Sequence, residues 1–302
     1  MSLAFPTTAL KKPSGVTAIP SGLKRPVFGT LYGFDAQGGD SQFNIDIRDT
    51  HSNIIARSGD ATGTIAFGTD TNDLYVYDGA LWVYYFNSFS STFSVSMDGA
   101  DDYASATLGS QVFDGDFGIS FWFNADDAPV YTSLLQLGTD AGYNDGWRLY
   151  RYSSGLNMAL WKGQGGYSAS LASAGSTTTG AWHHVAITRS GSSMVMYLNG
   201  SSIQTGTDST AYTSTAFNVG FSTYPFNGFM DEVALWDSAL SASNVTAIYN
   251  SGTPDNISSL SPVNWWRMGE NDSGSGTNVT DQGSAGNNMT LNNGAGFSTT
   301  TP

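Results

Sequence analysis

From about Ser88 to the C-terminus the chain is a succession of short runs, apolar or alternating, each closed by Gly, Asn, Asp or Ser. The clearest are "FSVSMDG" (93–99), "FGISFWFNA" (117–125), "TSLLQLG" (132–138), "GWRLYRYS" (146–153), "LNMALWKG" (156–163), "AWHHVAITRSG" (181–191), "SMVMYLNG" (193–200) and "GFMDEVALW" (228–236). Runs of this length with period-2 patterning are strands, and their turn residues set them antiparallel. No long helical period interrupts them, so the segment is expected to be an all-β, antiparallel two-sheet sandwich. One helix is expected in "SASNVTAIYNSG" (241–252). There Val245, Ile248 and Tyr249 share a face, Ser241 or Ser243 can cap, and Gly252 can stop it.

Two smaller segments precede the sandwich. Residues 1–34 carry Pro6, Pro13, Pro20 and Pro26 at intervals of six or seven, which excludes long helices and central strands. This extended arm has Lys11, Lys12, Lys24 and Arg25 and no acid, whereas the other residues hold 7 basic and 25 acidic side chains. Alone, the arm has too few apolar groups to offset the entropy of ordering, so a partner surface would have to order it. Residues 35–87 contain an alternating run, "FNIDIRD" (43–49). A meander follows, with strands at Thr64–Phe67, Leu74–Tyr77 and Leu81–Tyr85 and a hairpin turn at Asp78-Gly79. Three strands are too few for a good core of their own, so packing on the next domain or on copies of itself is expected. The jelly-roll candidate then spans 88–302.

Composition removes several chemistries. There are no cysteines, so a disulfide framework, zinc knuckle or thiol nucleophile is excluded. The net charge of -14 repels nucleic acid and anionic membranes. No apolar stretch approaches a membrane span, and the N-terminus has no apolar core after a basic start, so no signal peptide is expected. No Gly-x-Ser-x-Gly elbow precedes a helix. His183 and His184 are adjacent in a strand, point to opposite faces and cannot hold one metal together. His51 lies outside the sandwich.

Several motifs resemble the laminin-G-like, concanavalin-A-like jelly roll, including its pentraxin-related branch: "SMDGADDYASAT", "FGISFWFNADD", "GAWHHVAITRSGSSMVMYLNG", "GFMDEVALWDSALSASNVTAIYNSG" and the Trp-containing "PVNWWRMGENDSGSG". The resemblance implies a jelly-roll topology over roughly 89–298. It also implies calcium as a candidate cofactor, with Asp98, Asp101 and Asp102 in "MDGADD" and Asp231 in "FMDEVALW" at the matching acidic positions. A hard cation wants several oxygens, and an Asp-rich turn beside a strand-borne Asp can supply them. The competing assignment has Asp98 capping a turn and Asp231 or Glu232 paired with Arg189 or Arg267. Glucanases of this fold resemble one another in paired glutamates along one strand. Here Glu232 and Glu270 are the only two, 38 residues apart and in different motifs, so no enzyme is expected. Glycan stacking is assigned to Tyr143, Trp147, Tyr150, Tyr152, Tyr167 and Tyr224, aromatics beside polar or Gly-rich neighbours.

The pattern "GTIAFGTDTNDLYVYDG" resembles a β-module of phage fibres and virion appendages. Arm, meander and distal jelly roll together imply a non-enzymatic virion protein, a tail fibre or capsid decoration. It would be docked to other virion proteins through Lys11, Lys12, Lys24 and Arg25 and trimeric at the meander. It would sit on the virion surface, with the jelly roll offered to host glycans. The alternative is a secreted or surface carbohydrate-binding or adhesion module, and the third reading is a glycan hydrolase.

Overall fold

The computed structural model of the chain describes residues 47–61, 64–68, 74–77, 80, 82–86, 89–109, 112–127, 131–138, 146–153, 155–161 and 167–302. The expected arm and the start of "FNIDIRD" lie outside them. The chain divides into two units, Met1–Ser88 and Phe89–Pro302.

In the first unit, β1 (Ile47–Asp49), β2 (Ile65–Gly68), β3 (Leu74–Tyr77) and β4 (Trp82–Phe86) form one sheet in that order. The three-strand meander is present. Sequence reading missed α1 (His51–Ile55) and the parallel pairing of β1 with β2. A parallel pair needs a crossover, and α1 with its flanking loop provides it. Five residues hold too little periodicity to announce a helix. Ile54, Ala66, Tyr75, Tyr77 and Trp82 form this unit's own small core.

The second unit is a sandwich of two antiparallel sheets. One contains β5 (Ser94–Asp98), β7 (Phe117–Ala125), β12 (Trp182–Ser190), β13 (Ser193–Leu198), β14 (Ser201–Thr207), β16 (Asn227–Trp236) and β20 (Gly296–Ser298). Its order is β14-β13-β12-β7-β16-β5-β20, and β17 (Asn264–Trp266) pairs with β16. The other contains β6 (Tyr103–Thr107), β8 (Thr132–Leu137), β9 (Trp147–Tyr152), β10 (Gly155–Trp161), β11 (Tyr167–Ala174), β15 (Ala216–Gly220), β18 (Asn278–Val279) and β19 (Met289–Asn292). Its order is β11-β10-β9-β8-β15-β6-β19-β18.

Alternation decides which side chains meet between the sheets. Phe117, Ile119, Phe121 and Phe123 of β7 face Trp147 and Leu149 of β9, Phe217 and Val219 of β15, and Leu291 of β19 in one continuous core. A second apolar layer covers the far side of the β7 sheet. There α2 (Ala242–Tyr249) seats Val245 and Ile248 against Ala186, Tyr197, Ala234 and Trp236. Both faces of β7 are therefore covered and every residue in it is buried, which is why it reads as an almost unbroken apolar run. Gly118 allows that layer to close: a β-carbon there would lie 2.7 Å from Leu240 Cγ. Ser241 caps α2 through an Asn244 N–H···Oγ bond of 3.1 Å. The helix ends at Asn250, not Gly252, because asparagine tolerates the left-handed conformation found there (φ 41°).

Candidate glycan-binding face and acidic clusters

Trp147 and Leu149 point into the core, so Arg148, Tyr150 and Tyr152 project from the opposite face of β9. Strand register extends that face across the sheet. Arg148 is paired with Gln136, Gln136 with Asn218, Asn218 with Ser105 and Ser105 with Thr290. A row of polar side chains thus crosses β9, β8, β15, β6 and β19. Arg148 donates from Nε and Nη2 to Gln136 Oε1 at 2.9 and 2.7 Å, and Gln136 Nε2 donates to the Gly138 carbonyl at 3.1 Å. Asn292 Nδ2 donates to Ser105 Oγ at 3.0 Å.

An aromatic group stands at the Arg148 end of this row. Tyr131 stacks on Tyr150 (centroids 4.4 Å apart) and meets Tyr224 edge-on at 4.7 Å. The Arg148 guanidinium lies 4.6 Å from the Tyr224 ring centroid and 5.0 Å from that of Phe221. The Tyr224 loop is tied to β8 by Ser133 N–H···O=C Tyr224 at 2.9 Å and Thr132 Oγ1–H···O=C Pro225 at 2.6 Å. Tyr224 and Tyr152 remain 38% and 54% exposed.

Three of the expected glycan-stacking residues, Tyr150, Tyr152 and Tyr224, therefore belong to the outward-facing set. Trp147 does not. It is fully buried, edge-on to Phe113 at 5.2 Å, because its parity on β9 faces the opposite sheet. Tyr143 lies outside the described residues, as does the side chain of Tyr167. Sequence reading missed Tyr131, Gln136 and Asn218, which enter only through cross-strand register.

The acidic positions form two clusters, not one. Asp98, Asp101 and Asp102 each offer a carboxylate oxygen within 4.8 Å of the others. Asp98 Oδ1 accepts the Ala100 N–H at 2.8 Å, and Asp102 Oδ2 accepts the Asp98 N–H at 2.9 Å. Asp102 is 2% exposed, and its Oδ1 is buried with no hydrogen-bond partner. Burial raises its pKa above the usual carboxylate value.

Asp231 does not join them. Asn227 pairs with Asp98 and Met230 with Val95, so Asp231 sits at the other end of β5, level with Ser94. It clusters with Glu232 and Glu270, again within 4.8 Å. The two glutamates, remote in sequence, meet because β17 pairs with β16 and delivers Glu270 beside the β16 bulge. Five of the cluster's six oxygens are committed, and Glu270 Oε2 is buried without a hydrogen-bond partner. Ser91 Oγ donates to Asp231 Oδ2 at 2.5 Å and the Glu232 N–H to Asp231 Oδ1 at 2.7 Å. Trp265 Nε1 and Arg267 Nε donate to the two oxygens of Glu232 at 2.7 and 3.1 Å. The N–H groups of Thr92 and Phe93 reach Glu270 Oε1 at 2.7 and 3.1 Å. Burial pushes all three carboxyls up, Glu232 to about 7. With Asp231 fully buried and Glu232 5% exposed, a sugar has no approach to the pair. The donor set fits shared protons and Arg267 better than a hard cation. Of the paired residues expected from sequence, Arg267 indeed holds Glu232, whereas Arg189 pairs with Asp208 at 3.2 Å.

The two histidines part as alternation requires. His183 lies on the core side with Val185 and Ile187, its Nε2 accepting the Thr178 N–H at 3.0 Å. His184 lies beneath α2 between Trp122 and Tyr249, with Nε2 2.8 Å from Ser120 Oγ. Burial lowers its pKa to about 3. An NMR titration of the imidazole nitrogens between pH 5 and 8 is expected to show no inflection for His184. An inflection near the ordinary histidine value would contradict its burial.

Lys11, Lys12, Lys24 and Arg25 lie outside the described residues. Among the described residues no helix is long and apolar enough to cross a membrane. The family model described as "Concanavalin A-like lectin/glucanases superfamily" matches residues 98–246. No curated protein sequence matches the chain significantly. Among solved structures, a candidate carbohydrate binding protein from Bacteroides ovatus is similar, with 17% identity, a TM-score of 0.55, and coverage of 80% of this chain and 71% of that one. The heptameric SAP-like pentraxin of Limulus polyphemus matches at 15% identity and a TM-score of 0.41, over 53% of this chain and 82% of its own. The CBM40 of a Ruminococcus gnavus sialidase matches at 15% identity and a TM-score of 0.39, over 50% of this chain and 96% of its own. At 17% identity the likeness to the Bacteroides ovatus structure is one of fold. The unit Phe89–Pro302 is an all-β, antiparallel two-sheet jelly-roll sandwich, and its residues 98–246 are similar to the concanavalin A-like lectin/glucanases superfamily.

Proposed function

We propose that the jelly roll is a lectin-like carbohydrate-binding module without hydrolytic activity. The observation that carries this reading is the partly exposed Tyr131–Tyr150–Tyr224 group with Tyr152, underpinned by the buried polar residues Arg148, Gln136 and Asn218. A pyranose presents one apolar face and a rim of hydroxyls, so it needs a ring to stack on beside hydrogen-bonding groups. Exposed Tyr224 and Tyr152 supply rings and the hydroxyl of Tyr224, and Arg148 beneath Tyr224 holds that ring in place. The likeness to a candidate carbohydrate binding protein supports the same class. The virion setting rests on the arm and the meander motif and carries no part of this reading.

The test is a glycan array probed with the full chain, with and without calcium, followed by variants. Tyr224→Ala is expected to weaken the best glycan by roughly fivefold to tenfold, the effect of losing about 1–1.4 kcal/mol of ring stacking. Tyr152→Ala should weaken it less. A silent array from folded protein would remove the proposal. Hydrolysis of a β-glucan panel, lost in Glu270→Gln, would replace it with an enzyme.

A further inference from the structure

We propose that the Asn293-Gly294 pair, in the turn between β19 and β20, is a site of spontaneous deamidation, and that the change loosens the last strand of the jelly roll. This goes beyond glycan binding and does not depend on it. The step is intramolecular and needs only water. The Gly294 nitrogen attacks Cγ of Asn293, and a nitrogen–Cγ bond forms. The Cγ–Nδ2 bond breaks, the Gly294 N–H proton passes by way of water to Nδ2, and ammonia leaves. The succinimide ring then takes up one water molecule at either carbonyl, which gives aspartate or its β-linked isomer at position 293. Asparagine is thermolabile, and a following glycine has no side chain to shield the attacking nitrogen.

The chain contains three Asn-Gly pairs, and the fold treats them differently. Asn199 and Gly200 are partly buried between β13 and β14. Asn199 Oδ1 accepts the His184 N–H at 2.9 Å, and a β-carbon on Gly200 would lie 2.8 Å from Tyr249 Cδ1. Asn227 and Gly228 lie inside β16. There Asn227 Nδ2 donates to Asp127 Oδ2 at 2.9 Å, and a β-carbon on the buried Gly228 would run into the Asn124 carbonyl. Ring closure has to turn the asparagine backbone, and packing blocks that at both pairs. Asn293 and Gly294 are instead both exposed. Their turn is closed by Ala295 N–H···O=C Asn292 at 3.1 Å, and among the described residues no backbone carbonyl accepts the Gly294 N–H.

The change also reverses a contact. Asn293 Nδ2 donates to the Asp101 carbonyl at 3.1 Å. A carboxylate in its place has no proton to donate and sets a charged oxygen against that carbonyl. It adds a fourth carboxylate beside Asp98, Asp101 and Asp102, whose oxygens already lie within 4.8 Å of one another. Among the described residues none of these three is in an ion pair, so no cationic side chain offsets the added charge. The turn has no room to shift toward the cluster, because a β-carbon on Gly294 would lie 2.9 Å from Asp102 Oδ1. The β-linked isomer lengthens the backbone between β19 and β20 as well. β20 is the edge strand of its sheet, paired with β5, and its Phe297 packs against the core. Repulsion at the turn therefore acts on the strand with the fewest neighbours to hold it.

Full-length protein is held at mildly alkaline pH, folded or in urea, and peptide mapping assigns each product to its residue. In the folded chain, position 293 is expected to convert at least about tenfold faster than positions 199 and 227. In urea the three rates should converge, because the fold and not the dipeptide sets their order. Asn293→Asp installs one product directly. It should lower the melting temperature by about 2–4 °C and speed amide exchange across residues 292–298. Asn293→Gln keeps a side-chain amide and should protect the aged protein from that loss. Folded protein still intact at position 293 once the urea sample has converted there would overturn the proposal. So would equal conversion at the three pairs in the folded chain. An Asn293→Asp variant with unchanged melting and exchange would overturn the loosening of β20.

Discussion

Replacing Arg189 with methionine is expected to destabilise the jelly roll by about 3–5 kcal/mol, the cost of leaving one partner of a buried ion pair alone. Arg189 is among the largest fully buried side chains. Its Nη1 lies 3.2 Å from Asp208 Oδ2 and donates to the Thr210 carbonyl at 2.5 Å. Its Nη2 reaches the carbonyls of Gly115 and Phe113. The guanidinium also lies over Phe117, 4.7 Å from the ring centroid. One side chain thereby joins β12 to the loop before β7 and the loop before β15. Methionine keeps the apolar stem but strands Asp208, which also accepts from Tyr212 Oη at 3.0 Å and Thr210 Oγ1 at 2.8 Å. Adding Asp208→Asn removes the stranded charge and should recover part of the loss. Chemical denaturation of the two single variants and the double variant measures the coupling. Strictly additive losses would show that the pair is not the source of the cost.

Strand positions were legible because their signals are local. β7 begins and ends where "FGISFWFNA" does, and β12 and β13 fall within two residues of the expected hairpin. Alternation and Gly/Asn turns act over a few residues, and no distant contact has to be known. The site is different in kind. Gln136, Asn218 and Ser105 come from three strands far apart in the chain and align only through sheet register. Trp147 and Tyr150 look equivalent in "GWRLYRY", since alternation separates the two faces without saying which one is core. The same blindness hid the meeting of Glu232 with Glu270: separation along the chain carried no information about β16 and β17 lying side by side. The αL end of α2 at Asn250 shows the milder case, two residues able to stop a helix and packing choosing between them.

Relative to Glu232→Gln, the wild-type protein is expected to lose stability as pH rises from 6.5 to 8, and the Asp231–Glu232–Glu270 cluster is the cause. Three carboxyls share one guanidinium, that of Arg267, and burial is the main reason their pKa values rise. Glu232 stands at about 7 against an ordinary 4.5. The folded state therefore binds more protons than the unfolded chain between those values. A raised carboxyl contributes stability that is complete below the unfolded pKa and lost as pH rises through the folded one. For Glu232 the whole loss, spread from about pH 4.5 to 8, is on the order of 3 kcal/mol, and only about 1 kcal/mol of it falls above pH 6.5. The histidines act in the opposite direction, because burial lowers His183 and His184. Their contribution is lost as pH falls below the ordinary histidine value, so it masks the carboxyls in acid. At pH 6.5 an ordinary histidine is still half protonated, so the unfolded chain keeps this opposing effect up to about pH 7.5, and the share of the cluster is isolated as the difference between wild type and Glu232→Gln. Urea midpoints at half-unit steps from pH 6.5 to 8, for wild type and Glu232→Gln, give that difference directly. Glu232→Gln removes the proton that titrates, so its slope should lie above that of the wild type, whatever the variant does to absolute stability. An unchanged slope in Glu232→Gln would assign the pH dependence to some other group.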